Sequence, residues 1–138
     1  MANLSVRFRN GDTYERLKAR AGLSSVSGLA ERLIDEGLRM DAHPGIVFRD
    51  GPAGRRAGLA AGPDVWEVVA AIVEQKGSPE KRVAATAELL GLPVVQVRTA
   101  VRYGSEFSDE IDDLIERNEF AAAHEQAVWE SEQRLLSR

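Results

Sequence analysis

Asn3, Ser5 and Arg7 alternate along the chain with Leu4, Val6 and Phe8. In extended backbone, successive side chains point to opposite faces. One face would carry an amide, a hydroxyl and a guanidinium, and the other three apolar groups. That polar trio suits the edges of bases, since arginine can hold guanine bidentately and asparagine adenine. Residues 1–41 read as one such strand and two short helices, and about forty residues cannot bury a core alone. The expected remedy is a second copy, with the two strands paired antiparallel over shared helices. Leu4, Val6, Phe8, Leu29 and Leu33 would form the dimer contact. Asn3, Ser5 and Arg7 would then appear twice on a two-stranded surface sized for the DNA major groove.

The elements that must position this strand follow it directly. Asp12 is the expected N-cap of a helix from Thr13 to Ala21, with Tyr14, Leu17 and Ala21 on its inner face. Gly22 stops that helix. Ser24 and Ser25 offer N-caps to a second helix running to about Met40. Leu29, Leu33 (or Ile34) and Leu38 line its inner face, with Arg32 and Glu36 outward. This strand–helix–helix order resembles the ribbon-helix-helix (CopG/Arc-like) family of dimeric DNA-binding proteins. The resemblance implies a swapped ribbon in a homodimer and operator DNA as a partner. It also implies a phosphate seated at the start of the second helix, where free N–H groups and the helix dipole favour an anion. Arg9, Ser24, Ser25 and Ser27 are the residues expected at phosphates.

Residues 42–63 change character, with glycines and prolines interrupting every few positions. Ile46-Val47-Phe48 is β-prone, Asp50-Gly51 suits a turn and Arg56-Ala57-Gly58-Leu59 can pair back, so a linker and short β-hairpin are expected. No phosphate-binding glycine loop is present, because no Gly-Lys-Ser/Thr follows. Residues 64–107 read as three helices. Val65, Val68, Val69, Ile72 and Val73 face inward on the first, which Asp64 caps and Gly77 ends. Ser78-Pro79-Glu80 opens the second, with Val83, Ala84, Ala87 and Leu90 inward. After Gly91-Leu92-Pro93 the third turns Val94, Val97 and Val101 inward, leaving Gln96, Arg98, Thr99, Arg102 and Tyr103 on other faces. That is a helix-turn-helix pattern.

His43-Pro44-Gly45-Ile46-Val47-Phe48, Gly54-Arg55-Arg56-Ala57-Gly58-Leu59, Asp64-Val65-Trp66, Ser78-Pro79-Glu80 and Val97-Arg98-Thr99-Ala100-Val101-Arg102-Tyr103 look like the helix-turn-helix domain of VapB-type antitoxins, over roughly residues 43–117. That resemblance implies an antitoxin that neutralises a PIN-like ribonuclease toxin and represses its own operon. Joining such a domain to a ribbon-helix-helix head departs from the family pattern. Gln96, Arg98, Thr99 and Arg102 are the candidates for auxiliary DNA contact. This stretch lacks the positive charge of a strong DNA binder, since residues 61–104 hold five Lys/Arg against five Asp/Glu. A dimerisation or auxiliary DNA role is therefore favoured over primary readout.

Residues 108–138 form an acidic amphipathic segment. Leu114/Ile115, Ala121/Ala122, Val128/Trp129 and Leu135/Leu136 are apolar pairs repeating every seven residues, with Asn118, Glu125 and Glu132 halfway between. A sustained coiled coil wants apolar residues at those intermediate positions too. The pattern instead gives isolated anchors on one long acidic helix, which suits a groove on a basic partner. Ala121, Ala122, Glu125, Val128, Trp129, Glu132, Leu135 and Leu136 are thus the expected toxin-binding residues. Charge is segregated to match. Residues 1–60 hold ten Lys/Arg against seven Asp/Glu, and residues 105–138 three against ten, so the two ends suit different partners.

Little supports catalysis. His43 and His124 are the only histidines, far apart in sequence, and there is no cysteine. The carboxylates at Asp109, Glu110, Asp112, Asp113 and Glu116 fan around a helix rather than converge on a metal. No catalytic residue, metal or cofactor is expected; His43 reads as a loop residue and His124 as a surface one. No apolar run is long enough for a membrane span, and the lack of cysteine makes the cytoplasm the default address. The expected fold is mainly α: a ribbon-helix-helix segment, a short hairpin, a three-helix helix-turn-helix domain and an acidic C-terminal helix. Two other functions fit the same sequence: a stand-alone ribbon-helix-helix regulator and a plasmid-partition DNA-binding protein.

Overall fold

The computed structural model describes all residues from Met1 to Arg138. Six helices and one two-stranded antiparallel sheet make the chain mainly helical. No helix is long and apolar enough to cross a membrane. The chain divides into two compact units, Met1–Ala42 and His43–Arg138.

The first unit holds α1 (Gly11–Ala21) and α2 (Val26–Ala42). The cap of α1 is Asn10, not Asp12: the Asn10 side chain accepts the Asp12 N–H at 2.9 Å. Asp12 instead falls in the first turn, where its charge complements the helix dipole. Gly22 ends α1 at φ 56°, a conformation glycine tolerates best, and its N–H reaches the Lys18 carbonyl. Ser25 caps α2 by accepting the Gly28 N–H at 3.0 Å. Residues 3–9, expected as a strand, pair with nothing in the single chain and form no ladder. The reason is physical, since a strand is defined by hydrogen bonds to a neighbour. The unit buries only Ala21, Leu29 and Glu36. Glu36, expected outward, lies seven residues from Leu29 on the same helix face and pairs with Arg32 at 3.9 Å. Leu33, Ile34, Leu38 and Tyr14, expected inward, remain exposed.

The second unit is a hairpin and four helices around one core. β1 (Ile46–Arg49) and β2 (Arg56–Leu59) pair with Ile46 opposite Leu59 and Arg49 opposite Arg56. Gly51 and Gly54 exchange backbone hydrogen bonds across the turn. α3 (Val65–Val73), α4 (Pro79–Leu90), α5 (Val94–Glu106) and α6 (Ser108–Leu136) follow. Asp64 and Glu67 form a capping box at the start of α3, Ser78 caps α4 with Pro79 at its first turn, and Gly91 closes α4 in the left-handed region. The core joins Ile46, Ala57 and Leu59 of the hairpin to Val65, Val68, Val83, Ala87, Val97, Ala100, Tyr103, Ile111 and Leu114. The hairpin is thus part of the helical core rather than a linker beside it, and the first turns of α6 belong there too.

Several inward assignments differ from the burial observed. Val73, Ala84 and Val94 are exposed, while Thr86 and Tyr103 are fully buried. Val73 is the last residue of α3 and Val94 the first of α5, where the helices have passed the core. On α4 the stripe runs Val83, Thr86, Ala87 and Leu90. The Thr86 hydroxyl satisfies itself on the Arg82 carbonyl at 2.8 Å, so its burial leaves no orphan donor. Tyr103 is buried because its hydroxyl reaches the Glu110 carboxylate at 3.2 Å. α3 and α5 meet at Gly104, where an added Cβ would lie 2.9 Å from Val69 Cγ2.

Candidate nucleic-acid and partner interfaces

At the head, Leu4, Val6 and Phe8 remain 78%, 57% and 39% exposed. They line an open apolar groove of about 580 Å³ with Tyr14, Leu17, Val26, Ala30, Leu33 and Ile34. The alternation read from the sequence therefore survives: the apolar members of residues 3–9 turn toward the helices. Phe8 and Tyr14 pack as a tilted pair, 5.4 Å between ring centroids. Asn3, Ser5, Arg7 and Arg9 are exposed and absent from that groove. Of the expected dimer residues, Leu29 is already buried within the unit, whereas Leu33 lines the groove.

The start of α2 forms a second depression, lined by Arg20, Ser24, Ser25, Gly28, Leu29 and Arg32. Ser24 donates to the Ala21 carbonyl at 2.5 Å, tying the turn to the end of α1, and Ser25 is committed to capping. Ser27 is exposed but lines the apolar groove instead. The two arginines were not anticipated there; their spacing from Ser24 and Ser25, one turn back on α1 and two turns along α2, was the available signal.

On α5 the expected auxiliary residues divide. Arg98 is held by Glu80 in an exposed ion pair, and Thr99 donates to the Val95 carbonyl at 2.9 Å. Gln96 is half-buried and Arg102 exposed. The face that remains open is Val95 and Arg102 with the flanking Val94, a sparse surface for reading bases.

Two clusters went unread in the sequence. Asp64 is buried and gathers Arg49 at 3.5 Å, Arg56 in a close ion pair and the Trp66 indole N–H at 3.3 Å. It ties both hairpin strands to the start of α3. Gly58 leaves room for this, because a Cβ there would lie 2.8 Å from Arg49 Nη1. His43, expected as an ordinary loop residue, is buried; its Nε2 lies 2.5 Å from Glu106 Oε2, and Tyr103 and Phe107 meet its ring edge-on. Tyr103, Glu106 and Phe107 share one face of α5 and its end, which was the legible half of that cluster. No group of carboxylates or histidines is arranged to hold a metal ion.

At the C-terminal end α6 leaves the core. Ile111 and Leu114 are buried and Asn118 half-buried, but every residue from Glu119 onward is exposed. Trp129 is 53% exposed and Val128, Leu135 and Leu136 are also uncovered. Phe120, outside the expected set, is exposed as well. Ala121, Ala122, Glu125 and Glu132 complete the expected set on the same helix, all exposed.

No protein-family model, curated protein or solved structure matches this chain.

Proposed function

We propose that this chain is a homodimeric ribbon-helix-helix DNA-binding protein and, specifically, the antitoxin of a type II toxin–antitoxin pair. In this reading the head binds operator DNA and represses its own operon. The exposed half of α6 neutralises a PIN-like ribonuclease by direct contact, and α4 and α5 act as a helix-turn-helix unit in an auxiliary role. The observation that carries the reading is the head itself: 42 residues with three buried side chains and an alternating segment whose apolar members line an open groove. A second copy completes such a core and, by pairing the two segments, turns Asn3, Ser5 and Arg7 outward together. The antitoxin assignment adds the segregated acidity of α6 and its exposed aromatic anchor, which suit the basic cleft of an enzyme that binds polyanionic RNA.

The test is co-expression of the full chain with the small nuclease encoded beside its gene, reading cell growth and RNA integrity. The parent chain should rescue growth, and Trp129→Ala should lose rescue while still shifting operator DNA. Rescue by a chain cut before Glu119 would refute the toxin-binding role of α6, and a neighbouring partition ATPase would favour the partition reading instead.

A further inference from the structure

The exposed half of α6 carries more than a set of apolar anchors. Residues 119–136 extend the helix about 27 Å beyond the core at 1.5 Å per residue. Most helical stability in proteins comes from packing an apolar face, so the uncovered apolar side of this segment is unfinished surface. Its direction follows from helical geometry. Eighteen residues make about five turns, so Glu132 stands on the same line along the helix as the buried Leu114; Glu125 lies about 20° from that line. Ala121, Val128 and Leu135 flank the line on one side, and Ala122, Trp129 and Leu136 on the other. The seam that Ile111 and Leu114 bury against the core therefore continues past the core, with two carboxylates set in its middle.

Those carboxylates decide what can cover the seam. A second copy laid along it in parallel would place each glutamate against itself; an antiparallel copy crossing near Val128 would place Glu125 against Glu132. Either arrangement buries like charges without partners. An anionic lipid surface is opposed by the ten Asp/Glu against three Lys/Arg of residues 105–138. A groove that is apolar but carries two cations meets both demands.

We infer that the exposed seam of α6 docks into a groove on a protein partner that presents two arginine or lysine side chains about 10 Å apart, one for Glu125 and one for Glu132, between pockets for Val128 and Trp129. This rests on the antitoxin reading for the identity of the partner, but not for the chemistry of the surface. Glu125 and Glu132 then act twice, setting the register of the partner and keeping α6 from pairing with its own kind.

A stapled helical peptide tests this without the nuclease. It carries leucine pairs every seven residues and arginine at the positions between them, and its binding to the full-length protein is followed by fluorescence anisotropy. Glu125→Gln with Glu132→Gln should weaken binding more than tenfold and let the protein associate further in sedimentation. Glu119→Gln with Glu130→Gln removes the same charge from the far side of the helix and should change affinity less than twofold. Equal losses from the two pairs would reduce the seam to a net-charge effect and overturn the inference. So would association of the parent protein through α6, or equal binding to a peptide bearing glutamate in place of arginine. Failure of the nuclease to be neutralised, with these peptide results intact, would instead remove the antitoxin reading alone.

Discussion

Val6→Asp is the sharpest test of the head. Leu4, Val6, Phe8, Leu33 and Ile34 together leave about two and a half side chains' worth of surface open in each copy. At roughly 2 kcal/mol for each fully buried apolar side chain, covering this in two copies yields on the order of 10 kcal/mol. Association costs about 4–15 kcal/mol in lost freedom, so in the proposed dimer the hydrogen bonds of a paired ribbon and newly covered helix faces must supply the surplus. The balance is narrow enough for one residue to tip it. Replacing Val6 forfeits about 1 kcal/mol of apolar burial per copy and brings a carboxylate toward the shared groove. With the desolvation included, and partly offset by Arg16 and Arg20 in the same groove, the loss is about 2 kcal/mol per copy, and symmetry counts it twice. About 4 kcal/mol corresponds to roughly a thousandfold in dissociation constant. Sedimentation equilibrium across a concentration series reads this directly. Ser5→Asp, on the opposite face of the same segment, should leave the dimer intact while abolishing DNA binding. A parent protein that sediments as a folded monomer at high micromolar concentration, or a Val6→Asp protein that dimerises normally, would refute the reasoning.

Arg7→Ala should weaken operator binding and relax sequence preference by about 1–3 kcal/mol at the contacted base, whereas Ser25→Ala should weaken binding evenly across sequences; gel-shift titrations on operator and scrambled DNA separate the two. Gly104→Ala should destabilise the second unit by about 1–2 kcal/mol despite the better helix propensity of alanine. Its new methyl meets the β-branched Val69, which cannot swing aside, and thermal denaturation should register a fall of roughly 5–15 °C. Asp64→Ala should cost about 2–4 kcal/mol, because it removes a capping box and leaves Arg49, Arg56 and the Trp66 N–H without their shared acceptor. Chemical denaturation measures it, and an unchanged midpoint would show that solvent replaces those contacts.

The amino-acid order alone determined what depends on neighbours a few residues away. Ser78-Pro79 opening α4, Gly91 closing it, Asp64 at the start of α3 and the pairing back of Arg56–Leu59 on Ile46-Val47-Phe48 all follow from local caps, turns and periodicity. The alternation of Leu4, Val6 and Phe8 was legible for the same reason, as was the seven-residue spacing along α6. Tertiary packing decided which candidates became core and which stayed open. Periodicity fixes the centre of a helix face better than its edges; Ala84 and Thr86 flank the stripe of Val83, Ala87 and Leu90 on opposite sides, so it could not choose Thr86 over Ala84 or reveal that Tyr103 faces inward. Nor could it bring His43 to Glu106, 63 residues away, or Arg49 and Arg56 onto Asp64, because such contacts exist only once the hairpin lies against the helices. The strand expected at residues 3–9 marks the same boundary from the other side: the segment meets no hydrogen-bonding neighbour within the single folded chain, so alternation specifies its faces but cannot form a ladder.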